Sequence, residues 1–292
     1  MTTLHTIEKL TAEAQQRERE GYQADARTLA ACETASGYWR AHAVRLYNGV
    51  KSARAIFSGE LERFAEVHAE IPSRLQETWR NRQEGMRLLT KMLARLPERL
   101  AKVLEQQDPK PLPAPLNARQ WNELLQQAGD LPSTYKRLEQ ALTAQDNARY
   151  QRIFQAREQT VKLRQGILDC VAKQLLPVLD GLDEGERLSR PLIEESRQES
   201  TAVANIVIAW CNSYAVLRAQ LASILEHIGI RPIMVEPGTL IDYRRHEPCA
   251  VESNPTAADE SIKAEIRKGY EYTGEDGQVH LLRPAQVIVF QR

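Results

Sequence analysis

The stretch His246-Glu247-Pro248-Cys249 sets an imidazole and a thiol three residues apart. Two such side chains begin a soft-metal site, but a closed one needs a second pair, and none stands near in the sequence. His246 therefore reads as a hydrogen-bonded loop histidine, and no metal is expected. In LDGLDEGERL the carboxylates Asp180, Asp183, Glu184 and Glu186 crowd together. They read as helix caps and solvated loop charges rather than as an acid/base pair, because no nucleophile or second base accompanies them. Phosphate-cradling GxxxxGK[ST], nucleophilic GxSxG, zinc-binding HExxH and Gly-rich dinucleotide loops are all missing from the chain. The reading is a protein that is not an enzyme and needs no cofactor.

Composition narrows the partners. Among 292 residues, 39 Lys and Arg balance 39 Asp and Glu. No basic excess draws the chain to nucleic acid or to an anionic membrane. No apolar run approaches the ~20 residues that span a bilayer. The opening MTTLHTIEKLTAEAQQRERE lacks the apolar core of a signal peptide, and Cys32, Cys170, Cys211 and Cys249 form no CxxC pair. Both features point to the reducing cytoplasm. Charged residues at 27% and aromatics at 6% favour long amphipathic helices and coiled coils.

The fold class expected is mainly α with a small C-terminal β-domain. Residues 1–107 read as a helical bundle of unknown role. Leu88, Leu89, Met92, Leu93, Leu96, Leu100 and Val103 recur at helical spacing. Trp39, Tyr47, Phe57, Phe64 and Trp79 supply bulk for its core. DPKPLPAPL, residues 108–116, holds four prolines in nine positions. Proline lacks an amide donor and disfavours helix before it, so residues 108–132 read as a semi-rigid linker with one short helix over 118–128, closed by Gly129 and Pro132.

Residues 133–230 read as a long helix from Ser133 to about Leu179, capped by Ser133 or Thr134, followed by a bundle helix over 191–227. Phe154, Val161, Leu168 and Leu175 stand seven apart, the repeat that winds one helix against another. The alternatives are a homodimer seam and packing within the chain. Pro177 is expected to kink or end this helix, and Gly229 to stop the next one. Residues 231–292 change to a period of two. Ile262, Ala264 and Ile266 alternate with charges, Thr273-Gly274-Glu275-Asp276-Gly277 supplies a turn, and Val279, Leu281, Val287 and Val289 suit further strands. So small a sheet must lean on helices or on a partner.

Four segments in order, QLLPVLDGLDEGERL, YAVLRAQLASILEHIGIRPI, LIDYRRHEPCAVES and IRKGYEYTGEDGQVHLLRPAQVIV, make residues 135–292 resemble the GrpE family. That family comprises nucleotide-exchange factors of DnaK-type 70-kDa heat-shock chaperones. The resemblance implies a homodimer with paired long helices, a short-helix bundle, and a β-domain that grips the chaperone's ATPase domain and opens its cleft to release ADP. Carried over by position, the apolar contacts are Ile241, Tyr243, Ile266 and Val289. Lys268 and Arg283 are nearby charges that serve either the partner or strand-edge solubility, while Gly269 serves backbone geometry. The chain departs from the family where Tyr243 replaces a proline and where TGEDGQVH enlarges a turn. It also lacks the Pro-Gly before the strand and adds residues 1 to about 130, which have no recognised counterpart. A rival reading is a scaffold with a GrpE-like C-terminal half that recruits partners through residues 1–107.

Overall fold

The computed structural model describes residues 2–67, 73, 76–105, 110–126, 130–197 and 202–291. Pro72, Asp108, Pro109, Gly129 and the side chain of Phe64 lie outside the described residues. Helix α1 (Thr2–Val67) is followed by α2 (Gln76–Leu104), α3 (Ala118–Gln126) and α4 (Leu131–Cys170). A π-helical turn over Val171–Leu175 leads into α5 (Leu176–Arg197), and α6 (Ala202–His227) closes the helical part. Six strands follow: β1 (Ile230–Pro232), β2 (His246–Ser253), β3 (Ile262–Arg267), β4 (Tyr270–Thr273), β5 (Val279–Arg283) and β6 (Ala285–Gln291). A mainly helical chain with a small β-region at its end is the fold the sequence predicted. No described helix is long and apolar enough to cross a membrane.

The chain folds as two compact units, one of Met1–Tyr38 and Gln106–Arg164, the other of Trp39–Glu105 and Gln165–Arg292. This division differs from the boundaries read from proline content. In the first unit Ala14, Trp121, Leu138 and Leu142 form a core with Leu116, Leu124 and Leu125 against it. Leu29, Cys32 and Ala156 form another, with Leu112 packed on it. Leu112 and Leu116 belong to the proline-rich run, which is therefore seated on the unit rather than strung between domains. The buried carboxylate of Glu18 accepts the amide of Leu116 at 2.8 Å and fixes it there. Arg149, 2% exposed, is neutralised by Asp25 at 2.9 Å and by Asp146.

Helix α4 starts earlier than expected. Asp130, not Ser133 or Thr134, caps it: its carboxylate accepts the Ser133 amide at 2.9 Å. Hydrogen bonding from the Ser133 side chain, and then from its amide, holds the Asp130 carboxyl below the usual carboxylate range. Pro132 sits in the first turn, where its missing N–H has no intrahelical acceptor to lose.

In the second unit, Pro177 neither ends nor breaks the helix. The Leu176 amide donates to the carbonyl of Val171, five residues back. This wide turn shifts the carbonyls that the proline ring would otherwise strike. Residues 176–197 then stay helical, which corrects the loop expected over LDGLDEGERL, and Pro191 lies inside α5 instead of opening α6. Glycine costs a helix about 1 kcal/mol, yet both glycines here serve packing. A Cβ on Gly181 would stand 2.5 Å from Leu89, and one on Gly185 2.3 Å from Tyr214. They let α5 lie close to α2 and α6. Trp79, Trp210 and Tyr214 fill the space beside them, with ring centroids 5.1 Å apart in each adjacent pair.

Gly229, at φ 74°, ends α6 as expected. The strands form two three-stranded sheets, ordered β1-β4-β5 and β2-β6-β3. The first is antiparallel, whereas β2 runs parallel to β6 and β3 antiparallel to it. Ile262, Val287 and Val289 are the buried core of the second sheet, with Val235 and Ile241 against them. Gly269 has the backbone role expected. Its carbonyl accepts the Ile233 amide at 3.0 Å. A Cβ there would meet the Ala285 backbone at 2.4 Å.

Candidate functional site

Asp180 and Asp183 stand one turn apart on α5, on the face turned towards the strands. The Arg283 guanidinium meets Asp180 with two parallel hydrogen bonds, at 2.8 and 2.7 Å. It also donates to the Lys268 carbonyl at 2.7 Å and lies 5.4 Å over the Tyr270 ring. Arg267 donates to Asp180 at 2.7 Å, and Lys268 to Asp183 at 3.0 Å. Arg218 of α6 completes the set, paired with Asp183 at 3.4 Å and Glu186 at 3.2 Å. The Asp180 and Arg283 side chains are 23% and 14% exposed. Forked, charge-assisted and mostly shielded from water, this pair is worth more than a surface ion pair. Burial pushes the Tyr270 phenol up to about 12 and the Glu265 carboxyl above its ordinary value.

These contacts reassign several residues. Asp180, Asp183 and Glu186 are anchors on a helix, not loop charges. Arg283 and Lys268 are bound to α5 and are not loose strand-edge charges. The signal in the sequence was charge complementarity between the acidic cluster and Arg267, Lys268 and Arg283. Their separation by 85 to 103 positions hid it.

The apolar positions split. Ile266 is 59% and Tyr243 63% exposed, while Ile241 is half-buried against the second sheet. Val289 lies buried in the core of that sheet. Its side chain faces that core and not solvent. Ile266 points outward because the β3–β6 register shifts twice, between Ile262 and Ala264 and again across Ile266 itself, between Glu265 and Arg267. Such irregularities break the strict alternation the sequence suggested. Tyr243 donates its hydroxyl to Glu260 at 2.8 Å. Met234, Leu240 and Val251 are further exposed apolar side chains of the same β-region that sequence reasoning had not selected.

The helical stripe also divides. Phe154 and Val161 are exposed, at 54% and 39%, and Tyr150 is exposed one turn before Phe154. Leu168 is half-buried. Leu175 is fully buried inside its own unit, so the seven-residue spacing does not keep it on an open face; the π turn begins at Val171 and shifts the phase.

His246 and Cys249 do not converge. The His246 ring accepts the Asp242 amide at 3.2 Å, and the Cys249 thiol donates to the Val287 carbonyl at 3.4 Å. Among the described residues no group of three His, Cys, Asp or Glu side chains is placed to hold a metal ion. The arrangement is thus a β-region tied to α5 by ion pairs, with apolar side chains facing out.

Comparison with known proteins covers this region. The GrpE family model matches residues 114–291. Over 117 residues the chain is 30% identical to Protein GrpE of Gloeobacter violaceus, a match that takes in 40% of this chain and 51% of that protein. The chain thus spans about half the length of that curated relative.

Proposed function

This chain belongs to the GrpE family, and on that premise we propose that it is a co-chaperone: a homodimer that promotes ADP release from a DnaK-type 70-kDa chaperone. The observation that carries the proposal is the β-region within the family match, clamped to α5 through Asp180 and Asp183 and bearing exposed Ile266 and Tyr243. Ile266, Tyr243 and Ile241 are the apolar contacts in this reading, with Val289 behind them. Lys268 and Arg283 hold the surface in place.

Exchange requires the factor to prefer the open, nucleotide-free ATPase domain over the closed one. Moving a closed population to an open one takes ~5.5 kcal/mol of such preference. A surface that does not itself yield can supply it, since little binding energy goes into ordering the binder. Apolar anchors within a charged surround provide the contact energy.

Loading the chaperone with fluorescent ADP and following its loss on mixing with this protein tests the reading directly. Faster loss that saturates with protein supports it. The scaffold reading draws on Leu88 and Met92, exposed one turn apart on α2. It is favoured if ADP release is unchanged by the protein while Leu88→Asp/Met92→Asp abolishes its recruitment of another protein.

A further inference from the structure

The enlarged turn between β4 and β5 has its own internal hydrogen bonds. Gly274 donates to the Gln278 carbonyl at 2.8 Å, and Gly277, at φ 75°, donates to Gly274 at 3.0 Å. Asp276 accepts the Gln278 amide at 3.0 Å and faces His280 at 3.6 Å. Glu275 is the turn residue whose side chain reaches out of the hairpin, and it reaches α1. The indole N–H of Trp39 donates to its carboxylate at 2.7 Å.

Trp39 is 2% exposed and more than 230 positions away in sequence. Its ring stands edge-on to Tyr272 at 5.9 Å, and Tyr272 stacks at 5.1 Å on His280, its cross-strand partner. On the helix side His42 packs edge-on to Trp39 at 6.0 Å. This stretch of α1 is itself held. Arg40 donates to the Leu104 carbonyl at the end of α2, at 3.3 Å, and Gly49 lies so close to Ile224 of α6 that a Cβ would come within 2.8 Å of it. Besides its pairing with β1, the hairpin is thus tied to the helices at both ends: its strand end to Asp180 on α5, and its turn to Trp39 on α1.

We propose that Trp39 is a positioning residue. With Glu275 it forms a clasp through which α1 fixes the β4–β5 hairpin, and with it the end of β3, which carries Ile266 and is joined to the hairpin by Lys268 and Gly269 alone. A buried indole donating to a carboxylate is the strong class of hydrogen bond. Its loss exposes no chemistry but frees the turn. The functional consequence rests on the exchange reading above; the clasp itself does not.

Amide hydrogen–deuterium exchange over residues 270–283 of the full chain reads the clasp directly. Trp39→Phe keeps an aromatic ring, though a smaller one, and removes the donor, and Glu275→Ala removes the acceptor. Each is expected to speed exchange of the hairpin amides about tenfold, from the usual value of a charged hydrogen bond. Glu275→Gln keeps an acceptor and is expected to stay within about threefold of the parent chain. In the ADP-release assay the first two variants should need several-fold more protein for half-maximal effect, with the maximal rate unchanged. Hairpin protection unaltered in both Trp39→Phe and Glu275→Ala would overturn the clasp. Protection lost with release unaffected would overturn its positioning role. If the parent chain itself failed to speed release, the exchange reading would fall, and the protection data would still decide the clasp.

Discussion

Asp180 is the residue on which the β-region turns. It accepts from two arginines that come from different strands, and Arg283 has given up most of its contact with water to reach it. Removing the acceptor charge leaves that guanidinium shielded and short of a partner, which costs more than the bond itself contributed. Asp180→Asn should lower unfolding stability by about 2 kcal/mol, seen as a reduced urea midpoint with unchanged slope. A second residue sets a pH dependence. Burial, and then the nearby Arg45 charge, lower the pKa of His42 from its ordinary 6.5. The fold holds this ring neutral, so its contribution is complete above pH 6.5 and is lost as pH falls through the lowered value. Stability measured from pH 7 down to 5 should fall, and His42→Leu should flatten that fall. None of these roles was legible locally. The acidic cluster and the basic residues were each visible in the sequence, but a charge shows its sign and not its partner. Trp39 read as core bulk because an indole in a helix gives no sign of which acceptor its N–H will find.

Among the elements, α4 and α5 show how local signals mislead when packing opposes them. Pro177, Gly181, Gly185 and four carboxylates together spell a loop. Burial of Leu176, Val178, Leu179 and Leu182 outweighs those propensities, each of which is worth about 1 kcal/mol or less once the π turn has relieved the proline. The strands that were legible are those with a buried face, such as Val287 and Val289. The direction of Ile266 was not, because register shifts leave no mark in the residue pattern. The open part of the α4 stripe carries the dimer prediction. Phe154→Asp and Val161→Asp place charge on exposed positions and should give monomers by light scattering with helical content retained. Leu175→Asp, in a fully buried position, should instead unfold its surroundings. An unchanged mass for the first two would remove α4 from the dimer contact.

At the scale of the whole molecule, residues 1–113 lie outside the stretch that the family model matches, which begins sooner than the resemblance suggested, and the proline-rich run at their end suggested a separate domain. The structure divides them differently. Residues 39–105 belong to the unit that carries the β-region, and the described part of the proline-rich run belongs to the other unit, with Leu112 and Leu116 packed against its cores. A compositional break marks where helix stops and does not reveal where the extended chain comes to rest. The second half of α1 and α2 thus belong to the unit on which the β-surface is mounted. The proposed opening of a chaperone's ATPase domain by this surface is tested by labelled-ADP release from that domain, with the parent chain set beside Ile266→Asp. Ile266 is exposed, so the variant folds as the parent does. The parent should accelerate release, and the concentration of Ile266→Asp needed for the same effect should rise about tenfold or more, on the order of a buried interface anchor. No acceleration at saturating parent protein, or equal potency of the variant, would contradict it.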